Sequence, residues 1–247
     1  MEFVDVTMDA PSTADQRTFY GDTLGLPLVE HAAEGVAFQA GRTRIRFRRA
    51  VPGTTPTYHF ALRVPGDQFR EAKSWLAGRT ELLRDGDEDE FDWDFWGARA
   101  VYARDPAGNV VELIAFADLP PLGEGEFGAA SILGMAELGL PVADVQAAVA
   151  QLGDAFGIAL WDRDEITPER LTPVGERGAT FLVVRLGRVW HLGDAAADHP
   201  LEVTLGGVAE AGIELAGHPY SIRGSGWRSR GRTMPGVDIA HSARPGH

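Results

Sequence analysis

An internal repeat constrains this chain more than any other feature. Over residues 1–116 the same order of elements occurs twice, offset by about 54 residues. "EFVDVTMDA" alternates apolar and polar residues as a strand does, and "STADQRTFYGDTLG" sets Ala14, Thr18, Phe19 and Leu24 at roughly helical spacing before a glycine stop. "GVAFQAGRTRIRFRRA" then supplies two short strands around Gly41. The second copy opens with the strand "YHFALRV" and continues with a helix in "PGDQFREAKSWLAG" that turns Phe69, Ala72, Trp75 and Leu76 to one face. It ends in the hairpin "RAVYARDPAGNVVELIAF", with "DPAGN" as the turn. A unit of this kind cannot bury its own sheet face, so copies must pack on one another.

A third copy follows a Pro/Gly-rich linker. "MAELGLPVADVQAAVAQLGDAFG" is again a strand running into a helix, with Val145, Ala148, Val149 and Leu152 inward, and "ATFLVVRLGRVW" and "LEVTLGGV" supply later strands. The organisation predicted is α+β: two paired modules in residues 1–116, a linker at 117–133, a third, divergent module at 134–217, and a basic tail at 218–247. The tail carries five Arg against one Asp and no periodicity, so it is expected to be disordered or weakly attached, with His241 and His247 uninvolved. A lone third module would expose a sheet edge and one face. Pairing with the same module of a second chain, giving a homodimer, is expected in preference to packing within the chain.

Composition narrows the functions. There is no cysteine, which removes disulfides, thiolate metal sites and a cysteine nucleophile, so any metal must be held by His, Asp or Glu. A net charge of −13 disfavours nucleic acid and anionic lipid as partners. No apolar run approaches the roughly 20 residues that span a membrane, and the N-terminus lacks the pattern of a signal peptide, so a cytoplasmic protein is expected.

One carboxylate then needs explaining. Glu112 lies in "NVVELIAF" on a strand face shared with Val110 and Ile114, where an unpaired charge costs several kcal/mol, roughly, once buried. Asp5 and His59 occupy matching points of the first two opening strands, and Glu137 occupies that point in the third. If two modules curve around a shared cavity, Asp5, His59 and Glu112 converge there, and one His with two carboxylates suits a divalent cation that keeps open positions. For Glu137 an ion pair with an arginine such as Arg188 is expected instead, without a second metal site; His191, in "VRLGRVWHLG", is noted but given no role.

The repeated module, "FYGDTLGL", "YHFALRVP" and above all "DPAGNVVELIAF" resemble the vicinal oxygen chelate superfamily, which includes glyoxalases, extradiol dioxygenases and bleomycin-binding proteins. The resemblance implies a βαβββ fold and one divalent ion (Mn, Zn, Mg, Ni or Fe) on His59, Glu112 and Asp5. The family's remaining ligand position falls on Ile45 or Arg46, neither a usual ligand. Ring-cleaving members use two His and one carboxylate, so the residues here favour lyase or isomerase chemistry on a small vicinal-oxygen metabolite, with Glu112 or Asp5 as base. The alternative is a non-catalytic binding protein of the bleomycin-resistance type. Arg44, Arg46 and Arg48 share one strand face, which either looks outward as a solvated face or looks into the cavity, where Arg46 is the candidate substrate contact. Trp93, Phe95, Trp96 and Tyr102 either line the cavity mouth, with Trp96 against substrate, or belong to the core.

Overall fold

The computed structural model describes residues 1–32, 35–162, 165–167 and 169–226. Among these, two seven-stranded sheets form. The first module is β1 (Glu2–Ala10), helix α1 (Thr13–Gln16) continuing as π-helical Arg17–Thr23, then β2 (Leu28–Ala32), β3 (Gly35–Ala40) and β4 (Thr43–Arg49). The second is β5 (His59–Val64), α2 (Phe69–Ala77), β6 (Phe91–Trp93), β7 (Ala98–Arg104) and β8 (Val110–Phe116). The third is β9 (Gly134–Val142), α3 (Val145–Phe156), β10 (Thr172–Glu176) and β11 (Ala179–Arg185). In each, the first strand runs parallel to the last: β1 beside β4, β5 beside β8, β9 beside β11.

The helices follow from their sequences. Phe69, Ala72, Trp75 and Leu76 are the buried face of α2, as their spacing requires. In α3 the Asp144 side chain accepts from Ala147 N at 3.0 Å as N-cap, and Gly157 ends the helix at φ 69°. The first helix departs from the sequence expectation. Its wider π-winding after Gln16 turns Thr13, Gln16, Phe19 and Tyr20 inward and leaves Ala14 and Thr18 exposed. The "DPAGN" turn is held by Asp105, whose Oδ1 accepts from the Ala107 and Asn109 amides while Oδ2 accepts from Gln16, Tyr20 and Asn109.

A fourth, reduced module was not foreseen. β12 (Leu201–Gly206), β13 (Ala211–Glu214) and β14 (Tyr220–Gly224) repeat the pattern of a first strand parallel to a last, but the short segment Gly207–Glu210 stands where the other modules have a helix. The tail expected from residue 218 therefore starts later: Tyr220, Ile222 and Gly224 are buried and alternate with Ser221 and Arg223, and β14 lies between β12 and β13. Residues 227–247, with His241 and His247, lie outside the described residues.

Module pairing also differs from the expectation. The first two modules do not join edge to edge; β1 pairs antiparallel with β12, and β5 pairs antiparallel with β9. The sheets run β13-β14-β12-β1-β4-β3-β2 and β10-β11-β9-β5-β8-β7-β6. The third module is thus covered within its own chain, and the argument for a homodimer through it falls. Nor is the linker free to swing. Phe127 and Ile132 are buried, Phe127 packs edge-on to Trp75, and Leu133 bridges β5 and the β3–β4 turn through its amide to Arg63 O and its carbonyl from Arg42 N. The approach is close enough that a Cβ on Gly41, itself at φ 55°, would lie 2.2 Å from the Leu133 carbonyl carbon.

The main core lies between the inner faces of the two sheets, where Phe3 of β1 meets Phe181 of β11 edge-on at 5.1 Å. A second apolar cluster, including Ala61, Ala100, Val110, Ile114, Ala136, Leu182 and Trp190, covers the outer face of the second sheet. None of the described helices is long and apolar enough to cross a membrane.

Candidate metal centre

Along β8 every residue is buried, yet the period of two still sorts them. Val111, Leu113 and Ala115 enter the main core, while Val110, Glu112, Ile114 and Phe116 face the outer side of the second sheet. There a cover comes from residues 187–196. Gly187 N and Ala196 N bond to Ala196 O and Arg188 O, Val189 bridges Ala195, and Trp190 N bonds to Asp194 O, so the segment folds as a tight hairpin. Arg104 anchors its tip through Asp194 and the Leu192 carbonyl. The hairpin carries Arg188, Trp190 and His191 into a cavity of about 940 Å³.

Three buried ionisable side chains meet in the wall of this cavity. His59 opens β5, Glu112 sits in β8 and Glu137 in β9, and each offers a ligand atom within 4.8 Å of the others. Strand register explains the convergence: Ala61 of β5 lies opposite Glu112 on one side and Glu137 on the other, with His59 two residues away on the same face. Glu112 Oε1 accepts from the Tyr102 hydroxyl at 3.1 Å, and that hydroxyl accepts from Trp93 Nε1 at 3.0 Å. Glu112 Oε2 is 3.2 Å from His59 Nε2. The His59 ring stacks on Trp190 at 4.8 Å. This stacking needs Gly139, where a Cβ would lie 2.9 Å from Trp190 Cζ2 and 3.1 Å from His59 O.

Burial pushes all three groups toward their neutral forms. It raises the Glu112 carboxyl to about 8, against a smaller lowering by the Tyr102 bond, and lowers His59 to about 4, helped by the charge of Arg188. Glu137 is raised well above the usual carboxylate range by burial and then by the charge of Glu112. His59 Nδ1 and Glu137 Oε1 are buried without any hydrogen-bond partner. Two carboxylates and an imidazole, desolvated together with polar atoms left unpartnered, are a donor set that a divalent cation satisfies, so the residues present fit the divalent metal that the sequence resemblance implies.

The structure brings together only part of the set expected from sequence. His59 and Glu112 are adjacent, but Asp5 is in the other sheet, where β1 and β4 in register set it beside Arg44 and the two form an ion pair. Arg46 pairs with Glu30, and Arg48 with Asp9 at 2.9 Å and Glu202 at 2.6 Å, so the outer face of the first sheet is filled with charge pairs and Arg46 does not reach the cavity. Glu137 replaces Asp5 in the trio, and it makes no ion pair with Arg188 among the described residues. The signal for Glu137 was present in the repeat, since it holds the same strand position as His59. Trp93, Phe95, Trp96 and Tyr102 all line the cavity, and Trp96 Nε1 donates to Asp162 at 3.1 Å.

The fold has counterparts among known proteins. Residues 5–114 match the family described as a glyoxalase-like domain. Among solved structures, glyoxalase I from Zea mays is 15% identical over 82% of this chain and 74% of that chain, at a TM-score of 0.51. A mutant of the same maize enzyme, 14% identical, covers 90% of this chain and 93% of its own at 0.53. A Bacillus subtilis protein provisionally named a dioxygenase, 15% identical, covers 83% and 70% at 0.56. At such identities the likeness is one of fold. No curated protein matches the chain. Residues 5–114 thus resemble a glyoxalase-like domain, and the chain shares the fold of these solved structures. Glu137 lies beyond the matched stretch, so the candidate centre needs the third module as well as the matched domain.

Proposed function

We propose that the cavity of the second sheet is the active site of a metal-dependent enzyme acting on a small metabolite with two vicinal oxygens, by lyase or isomerase chemistry rather than ring cleavage. The observation that carries this reading is the joint burial of His59, Glu112 and Glu137 in the wall of an open cavity, with lone pairs left unused. His59, Glu112 and Glu137 would hold a divalent ion (Mn, Zn, Mg, Ni or Fe), which would supply Lewis-acid polarisation of substrate oxygens. The remaining work falls to the side chains. Glu112 is tied on one oxygen to Tyr102 and on the other to His59, which fixes its orientation. Glu137 Oε1 has no such tie, so once a bound cation has displaced its proton it would be, of the two carboxylates, the better placed to take a proton from substrate carbon, with Glu112 as the oriented partner. Trp93, Trp96 and Trp190 wall the site with apolar surface that excludes water. One imidazole with two carboxylates is an oxygen-rich set, which favours polarisation of substrate oxygens over the nitrogen-richer iron site of ring cleavage.

Elemental analysis of protein purified without chelator should find about one equivalent of divalent metal per chain. Small α-hydroxycarbonyl compounds in D2O should then gain deuterium next to the carbonyl only with metal present, read by NMR. If no divalent ion binds or raises the melting temperature, the enzyme reading is replaced by non-catalytic sequestration, which the aromatic walls and the net charge of −13 would suit for a cationic molecule.

A further inference from the structure

We propose that Arg188 is a carboxylate-binding residue of this cavity, so that the molecule bound there carries an anionic group in addition to its vicinal oxygens. The placement of the vicinal oxygens rests on the metal-dependent reading above; the anion rests on Arg188 alone.

The root of Arg188 is fixed. Its amide donates to Arg185 O at 3.1 Å and its carbonyl accepts from Ala196 N at 2.7 Å, while Arg104 pins the far end of the same hairpin. Its guanidinium lines the cavity together with His59 and Glu137. Among the described residues, the one hydrogen bond formed by its five N–H donors runs from Nη1 to the Val189 carbonyl at 3.2 Å, and no carboxylate lies within ion-pair distance. Arg63, similarly half-buried without a carboxylate, instead donates to the Pro120 carbonyl. Arg44, Arg46, Arg48, Arg84, Arg99 and Arg177 each have an acidic partner, as expected where 36 Asp and Glu outnumber 23 Lys and Arg.

A half-buried guanidinium without a partner is a costly arrangement, and burial does lower the pKa of Arg188, though an arginine stays charged at neutral pH. The neighbouring carboxylates do not relieve it. Glu112 is bonded to Tyr102 and His59, and neither it nor Glu137 is bonded to Arg188 among the described residues. Its planar fork therefore faces open cavity, which is the geometry that takes a carboxylate through two parallel hydrogen bonds. Glu165 and Glu169 at the mouth oppose an anion, but both are exposed and screened by salt, and Arg170 lies beside them.

The test uses two probes that differ only at their far end. 2-Oxoglutarate and 2-oxopentanoate share a vicinal pair of oxygens, and only the first has a second carboxylate. Calorimetry on the full chain, saturated with Mn²⁺ and separately after stripping and desalting, should show 2-oxoglutarate binding about ten- to a hundredfold tighter in both states, the range expected for a charge-assisted pair. Arg188→Met should abolish the preference and Arg188→Lys should keep part of it. Mn²⁺ affinity should not fall in either variant, a result that a merely structural role would not give. Equal affinity for the two probes, no binding of either, or a preference that survives in Arg188→Met overturns the inference. Loss of Mn²⁺ binding in the wild type with the preference intact overturns the metal-dependent reading and leaves this one standing.

Discussion

Glu112→Gln in metal-free protein isolates what burial does to this carboxyl. Burial keeps Glu112 protonated up to about pH 8, against an ordinary value of 4.5. Between those values the folded state retains a proton that the unfolded state has released, so stability falls as pH rises, by about 1.4 kcal/mol per unit. His59 works in the opposite sense lower down. Held neutral to about pH 4, it adds stability as pH rises from there to its ordinary 6.5, and contributes no further change above that. The window from pH 6.5 to 8 therefore belongs to the carboxylates. Over those roughly 1.5 units Glu112 alone should cost the folded state about 2 kcal/mol. Glutamine is the neutral isostere: its carbonyl can accept from Tyr102 and its amide reaches the position of Oε2 beside His59 Nε2. Glu137 remains in both proteins, and removing the Glu112 charge lowers its pKa, which moves the difference in the same direction. Urea unfolding after metal stripping should show the variant gaining about 2 kcal/mol on the wild type between pH 6.5 and 8. A difference that stays constant across that window refutes the assignment of Glu112 as a buried, proton-retaining acid.

Three further outcomes follow from named contacts. His59→Ala and Glu137→Ala should each lower metal affinity by tenfold or more, by rough estimate, whereas Asp5→Ala should leave it unchanged because its partner is Arg44 in the other sheet; equilibrium dialysis with Mn²⁺ checks this. Gly139→Ala should cost about 1–3 kcal/mol by overpacking and displace Trp190 from His59, read as a lower melting temperature with a shifted tryptophan emission. A chain ending near Leu119 lacks β9 and β12, exposes the edges of β5 and β1, and should aggregate in light scattering where the full chain does not.

Much of the fold was legible because it is written locally. Period-two alternation in "NVVELIAF", the buried face Phe69, Ala72, Trp75 and Leu76, and the Asp105 turn each depend on neighbours in sequence. Module pairing does not. Asp5 and His59 occupy equivalent strand positions, and what separates them is the partner across the sheet: Arg44 beside Asp5, Ala61 with Glu137 and Glu112 near His59. The arginines of β4 were visible, but their acidic partners on β1, β2 and β12 come from three stretches of chain, and only register aligns them. β14 escaped notice for a related reason. "YSIRG" is a five-residue alternation without a helix before it, too short to stand out from a Gly- and Arg-rich surround.

The pairing of modules is nested: the second joins the third inside, and the first joins the fourth outside, as Phe60 meets Leu138 and Val6 meets Val203. Loop length sets a kinetic order on such an arrangement. The outer closure spans about 2.5 times as much chain as the inner, an added entropic cost of about 0.8 kcal/mol if the inner pair is not yet formed and much less once it is. Folding by the inner pair first shortens the outer search, and every residue of the candidate centre, from His59 to His191, belongs to that inner half. The site should therefore assemble before the chain ends are fastened together, and a divalent ion present during refolding should accelerate the inner step while leaving the outer one unchanged.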